Sequence, residues 1–218
     1  MIRCVETDAG RVTYALIRTV RGQAQAVALP GGIVRVYAPA GLSLRAADEL
    51  VRQQAAALKA RLALLDGPQR RDGCLPVEGV PHRLCTGCAD GVSRIENGVL
   101  HLHDDDAPET LLLPLARRRI AERLPYWHAR ISGEYVAAAV EEMGVKWGAC
   151  TQARALSFNY RLILAPPEAL DYVIIHELCH LHEFSHSPRF WHMVKAQMPD
   201  YEAWKKWLSD HKSELVLP

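Results

Sequence analysis

What the chain lacks narrows its class first. No stretch approaches the roughly 18 consecutive apolar residues of a membrane span, and the opening MIRCVETDAG has neither the basic segment nor the apolar run of a secretory signal. A cytoplasmic protein without membrane association is expected. Charge of one sign is missing too: 26 Lys and Arg against 25 Asp and Glu leave a formal net charge of +1, with no general attraction to nucleic acid or anionic lipid. Arg117, Arg118, Arg119 and Arg123 make a local basic cluster, expected to be a solvated helix face. A second C-x-x-C is absent. The six cysteines are expected to remain reduced thiols, and Cys85-Thr86-Gly87-Cys88 is read as isolated thiols. A structural zinc site completed by His82, His101 or His103, or a redox pair, is the alternative.

What is present is ordinary for a globular protein. A chain of 218 residues, 49% hydrophobic and 23% charged, can bury a real core as one domain or two small ones. The part that carries chemistry is 167 to 192, PEALDYVIIHELCHLHEFSHSPRFWH. His176-Glu177-Leu178-Cys179-His180 is an H-E-x-x-H motif, and on a helix its histidines stand one turn apart on one face, where both can reach one metal ion. Glu177 is then placed to hold and deprotonate a water on that metal, as general base. Pro166-Pro167 mark a helix start, Glu168 and Asp171 suit its positive end, and Leu170, Val173, Ile174, Leu178 and Leu181 make it largely buried.

A catalytic zinc site takes three protein ligands and leaves a position for water. Glu183, His182 and His186 are the candidates for the third, and His186 is favoured because the helix can end near Phe184-Ser185 and turn the chain back. The spacing H-E-x-x-H-x5-H matches that of metzincins, but Glu183 stands where they have a turn glycine, which argues against a metzincin proper. Cys179, on the helix side away from the metal, is expected to pack as a small apolar residue.

HELCHLHEFSHSPRFW (176 to 191), KWGACT (146 to 151), LSFNYRLILAPP (156 to 167) and DYVIIHEL (171 to 178) resemble the YgjP-like metal-dependent hydrolases, distant relatives of SprT-like and Wss-type zinc proteases. The resemblance covers 115 to 208 well and 11 to 65 more loosely. It implies an α+β fold with a zincin-like catalytic unit, zinc on His176, His180 and His186, and a catalytic Glu177. Lys146-Trp147-Gly148-Ala149-Cys150 departs from the usual RWGSC, and Ser185 replaces an asparagine.

In chain order, a β-rich region with one long helix is expected over 1 to 113 and the catalytic region over 114 to 218. Residues 11 to 38 read as a three-stranded meander with turns at Arg21-Gly22 and Pro30-Gly31-Gly32, and Ser43 caps a helix from 44 to 65 that ends at Asp66-Gly67-Pro68. Asp90-Gly91 and Asn97-Gly98 mark turns of a second small β-region, and Asp104-Asp105-Asp106 is read as a hydrated loop rather than a Mg²⁺ site. A helix over 115 to 128, a short element over 134 to 142 and a strand over 155 to 164 precede the metal helix. Residues 155 to 160 are the expected edge strand for an extended substrate, with a core strand as the alternative. Ser187-Pro188 start a further helix whose Phe190 and Trp191 are expected in the core, and Pro199 separates it from another over 201 to 208. Met193 and Met198 fall in that helical pattern and are given no Met-turn role.

These residues fit a zinc metallopeptidase or, on the same metal site, a nucleotide pyrophosphatase, an activity to which the resemblance also points. For the second, Arg18, Arg21, Lys146 and Arg161 are the cations whose convergence on the zinc would matter. A zinc-stabilised binding module is the third reading.

Overall fold

The alternation at Val12, Tyr14 and Leu16 puts all three side chains in the core of an N-terminal sheet. This structure is a computed structural model, and it describes residues 1–19, 23–29, 33–66, 73–88, 92–103, 106–215 and 217. The sheet contains β1 (Ile2–Val5), β2 (Val12–Thr19), β3 (Gln25–Leu29) and β4 (Ile33–Pro39), in the order β1-β2-β4-β3. It is not the expected meander. β4 runs parallel to β2 and antiparallel to β3, because Val34, Val36 and Ala38 are buried and demand an inner position. Ser43 caps α1 (Leu44–Asp66) as expected, its hydroxyl accepting from the Ala46 N–H at 3.1 Å, and Ala47, Val51, Ala55 and Leu58 are buried as the helix packs on the sheet. The turn signals at Arg21-Gly22, Pro30-Gly31-Gly32, Gly67-Pro68 and Asp90-Gly91 lie outside the described residues.

The chain divides into compact units at Met1–Pro68 and Gln69–Pro218, not at the expected boundary of 113 and 114. The second small sheet belongs with the C-terminal unit. It comprises β5 (Cys74–Val77), β6 (Val80–Cys85), β7 (Arg94–Glu96) and β8 (Val99–His101) in the order β5-β6-β8-β7. Its Glu78-Gly79 turn donates backbone N–H groups to the carbonyls of Ile163 at 2.6 Å and Leu164 at 3.2 Å, and the Glu78 carboxylate pairs with Arg119. At Gly79, φ is +75° and a Cβ would come within 3.2 Å of Pro166, so only glycine lets this turn lie against that proline. Asn97-Gly98 (φ 51° and 74°) makes the expected β7–β8 hairpin turn. Asp104-Asp105 lie outside the described residues, and Asp106 accepts from the Ser93 hydroxyl at 2.6 Å.

Helix α2 (Glu109–Ile131) is longer than expected at both ends and runs through Pro114 and Pro125. Its arginines do not all face solvent. Arg119 is bound to Glu78 and Glu122, while Arg123 clasps Asp171 through two hydrogen bonds of 2.8 and 2.5 Å. Then come β9 (Ala137–Glu141), β10 (Gly148–Cys150) and β11 (Ala155–Asn159), in the order β10-β11-β9. The stretch expected at the sheet edge is thus the middle strand, paired antiparallel to β10 and parallel to β9, with Leu156 and Phe158 buried. The strand ends at Asn159, and Tyr160–Leu164 form a 3-10 turn leading into α3 (Pro167–His180). Helices α4 (Pro188–Gln197) and α5 (Tyr201–Asp210) follow and, with α3, bury Ile174, Phe190, Trp204 and Trp207. Among the described residues no helix is long and apolar enough to cross a membrane.

Candidate metal centre

Helical periodicity puts His176 and His180 on one face of α3, with Nε2 atoms 3.2 Å apart. The helix ends at His180, the chain turns, and His186 returns its Nε2 to 3.0 Å from that of His176. One ligand atom from each of the three lies within 4.8 Å of the others. The turn is built by Glu183, whose carboxylate accepts from the Ser185 N–H at 3.2 Å and hydroxyl at 2.6 Å, leaving it committed away from the imidazoles. The Ser185 hydrogen bonds hold that carboxyl below its usual range. His182 bonds the Ile131 carbonyl at 3.1 Å instead. Ser187 caps α4 by accepting from the Phe190 N–H at 3.3 Å and so fixes the residue beside His186.

The electrostatics suit a cation. The His180 Nδ1–H donates to the Glu183 carbonyl at 3.0 Å, which leaves the Nε2 lone pair facing the cluster. Burial, followed by the neighbouring His180 and His186, pushes His176 down to about 3, so it is neutral at ordinary pH; burial also lowers His180. Neutral imidazoles presenting Nε2 atoms to one another repel through their lone pairs, and a divalent cation between them removes the repulsion. His176 Nδ1 is buried without a hydrogen-bond partner, so His176 lacks the orienting contact His180 has. Rings hold it instead: His176 lies edge-on to Phe190 at 4.8 Å, His180 stacks on Phe190 at 4.5 Å, and His186 stacks on Trp191 at 5.5 Å. Phe190 is core as expected, but Trp191 is only partly buried and backs the ligand cluster.

Glu177 is 5% exposed and opens onto a cavity of about 390 Å³, also lined by Lys146, Trp147, Gly148, Tyr172, His176, Lys205 and Lys212. Desolvation raises its carboxyl to about 8, with Lys146 acting the other way. The buried Cys179 thiol is pushed up to about 12 and is an apolar packing group, as its place in the motif implies. Gly148 was not singled out by the sequence. A Cβ there would lie 2.6 Å from Glu177 Oε1, so the glycine of KWGAC makes room for the carboxylate. Gly148→Ala should therefore displace Glu177 while leaving the histidines in place. The expected result is a metal-loaded protein about 10-fold to 100-fold slower; unchanged turnover would show that the carboxylate position is not critical.

Asn159 and Arg161 fix that strand. The fully buried Asn159 donates through Nδ2 to the Lys146 carbonyl at 2.8 Å and through its N–H to the Trp147 carbonyl at 2.9 Å. Arg161 donates to the Gly144 carbonyl and pairs with Glu142 at 3.0 Å. Of the described cations named for nucleotide chemistry, Lys146 lines the cavity, Arg161 is a brace, and Arg18 bonds the Pro39 and Leu42 carbonyls; Arg21 lies outside the described residues. Cys85, Cys88 and His101 form a second convergence.

Comparison with known proteins agrees with the motif. The family model for the YgjP-like metallopeptidase domain matches residues 25–211. Among solved structures, the metallopeptidase zymogen of Pyrococcus abyssi abylysin is similar at 18% identity and a TM-score of 0.38, covering 44% of this chain and 94% of that one. No curated protein matches. With the family model spanning most of its length, the chain belongs to the YgjP-like metallopeptidase-domain family.

Proposed function

We propose that the protein is a zinc-dependent peptidase in which His176, His180 and His186 hold the metal and Glu177 is the general base. The carrying observation is the convergence of the three imidazoles beside a carboxylate that opens onto the cavity. Zinc at such a site supplies Lewis acidity toward a carbonyl and lowers the pKa of water. Glu177 takes the proton of the attacking water and passes it to the departing amine, a task suited to a carboxyl whose burial brings its proton affinity toward neutrality. Gly148 sets where that carboxylate stands, and Asn159 holds the strand that carries Gly148.

The strand beside the cleft is β10. It is an outer strand among the described residues, and residues 145 to 148 line the cavity, so its backbone is the one suited to pairing with an extended peptide. A second reading, nucleotide hydrolysis, is favoured by one observation: the exposed Lys146, Lys205 and Lys212 share this cavity and suit phosphoryl oxygens. They equally suit acidic side chains of a peptide.

The test is to incubate zinc-loaded protein with a pool of unstructured peptides and, separately, with nucleoside triphosphates. Peptide cleavage that a chelator stops and zinc restores is expected. Release of pyrophosphate with intact peptides would replace this reading by the second, and no turnover of either would favour a binding module.

A further inference from the structure

Outside the histidine cluster, the second convergence of metal-binding side chains is built by the small sheet of the same compact unit. Cys85 ends β6 and His101 ends β8, and the two are register partners on adjacent parallel strands, so their side chains share one face. Thr86-Gly87, with Gly87 at φ +71°, then turn the chain so that Cys88 comes back over the pair. Two backbone hydrogen bonds close this knuckle: the Leu102 N–H donates to the Cys85 carbonyl at 2.8 Å, and the Cys88 N–H donates to the Leu102 carbonyl at 3.1 Å. His103 Nδ1 braces it from the far side, donating to the Cys88 carbonyl at 2.8 Å.

We propose that Cys85, Cys88 and His101 form a structural zinc site, separate from the histidine centre. The Cys85 and Cys88 sulfurs are 3.5 Å apart, and Cys88 Sγ is 3.6 Å from His101 Nδ1. A tetrahedral zinc with bonds of about 2.3 Å to sulfur and about 2.0 Å to nitrogen requires separations of roughly 3.8 Å and roughly 3.5 Å. Both separations made by Cys88 therefore stand near those of a zinc ligand set, and all three ligand atoms lie within 4.8 Å of one another. Two thiolates neutralise the ion's charge, which suits three half-buried residues, and thiolate with imidazole selects zinc over the oxygen-preferring Mg²⁺ and Ca²⁺. Among the described residues no further His, Cys, Asp or Glu joins the group. A disulfide between the cysteines needs no imidazole, and the register that delivers His101 to the same point has no part in it.

The site shares no ligand with the histidine centre, so the two stand or fall separately. Purified, reduced protein titrated with zinc should take two equivalents; Cys85→Ser and His180→Ala should each take one. Cobalt loaded into His180→Ala should show the near-ultraviolet thiolate-to-cobalt absorption, which three histidines cannot give. That reading needs no cysteine variant to fold. One equivalent in the wild type without the thiolate band would overturn the assignment, and so would full alkylation of both thiols in zinc-loaded His180→Ala.

Discussion

Glu177→Gln should give a folded, zinc-loaded and nearly inert protein. The amide fills the same space beside Gly148 but cannot take a proton from water, and removal of a general base costs about 10² to 10⁴ in rate. The loss is greater if the same carboxyl returns the proton to the leaving amine. Because the carboxyl is buried and desolvated, replacing it by an uncharged isostere should not lower stability. Wild type and variant are compared on whichever substrate is turned over, with zinc measured in both. Equal rates would remove Glu177 from the mechanism.

The second large effect is on metal content. His180→Ala removes an imidazole positioned by the Glu183 carbonyl and by stacking on Phe190, leaving a two-ligand remnant that cannot hold zinc firmly. Zinc at the histidine centre should be lost completely and activity with it. Glu183→Ala, by contrast, should keep the metal, since that carboxylate binds Ser185 and not the cluster. Zinc retained at the histidine centre in a His186→Ala variant and lost there in Glu183→Ala would transfer the third ligand role to Glu183.

The parts of this molecule legible in the sequence are those fixed over short distances. His176 and His180 follow from helical spacing, Ser187-Pro188 from capping, and the turn that returns His186 from the end of α3 within the same stretch. Asn97-Gly98 likewise announced its hairpin. What was not legible depends on pairing between distant segments. Residues 155 to 160 read as a strand, but nothing local says that β10 and β9 will flank it and place Gly148 against Glu177. Three of the four N-terminal strands read correctly, but β1 and the strand order did not, because the β1–β2 and parallel β2–β4 pairings are choices among partners that local pattern does not fix. The unit boundary moved for the same reason: the composition of 73 to 103 is that of a separate β-region, while the contacts of Glu78 and Gly79 with residues 119, 163, 164 and 166 tie it to the C-terminal unit. His101 meets Cys85 through strand register, which spacing along the chain does not reveal.

Element-specific X-ray diffraction from crystals grown with zinc tests the central claim most directly. An anomalous peak at the zinc edge is expected among the Nε2 atoms of His176, His180 and His186, with the Glu183 carboxylate still on Ser185 and Glu177 beside the cavity. The absence of a peak there in zinc-loaded crystals, or an ion held through Glu183 with His186 turned away, would contradict it.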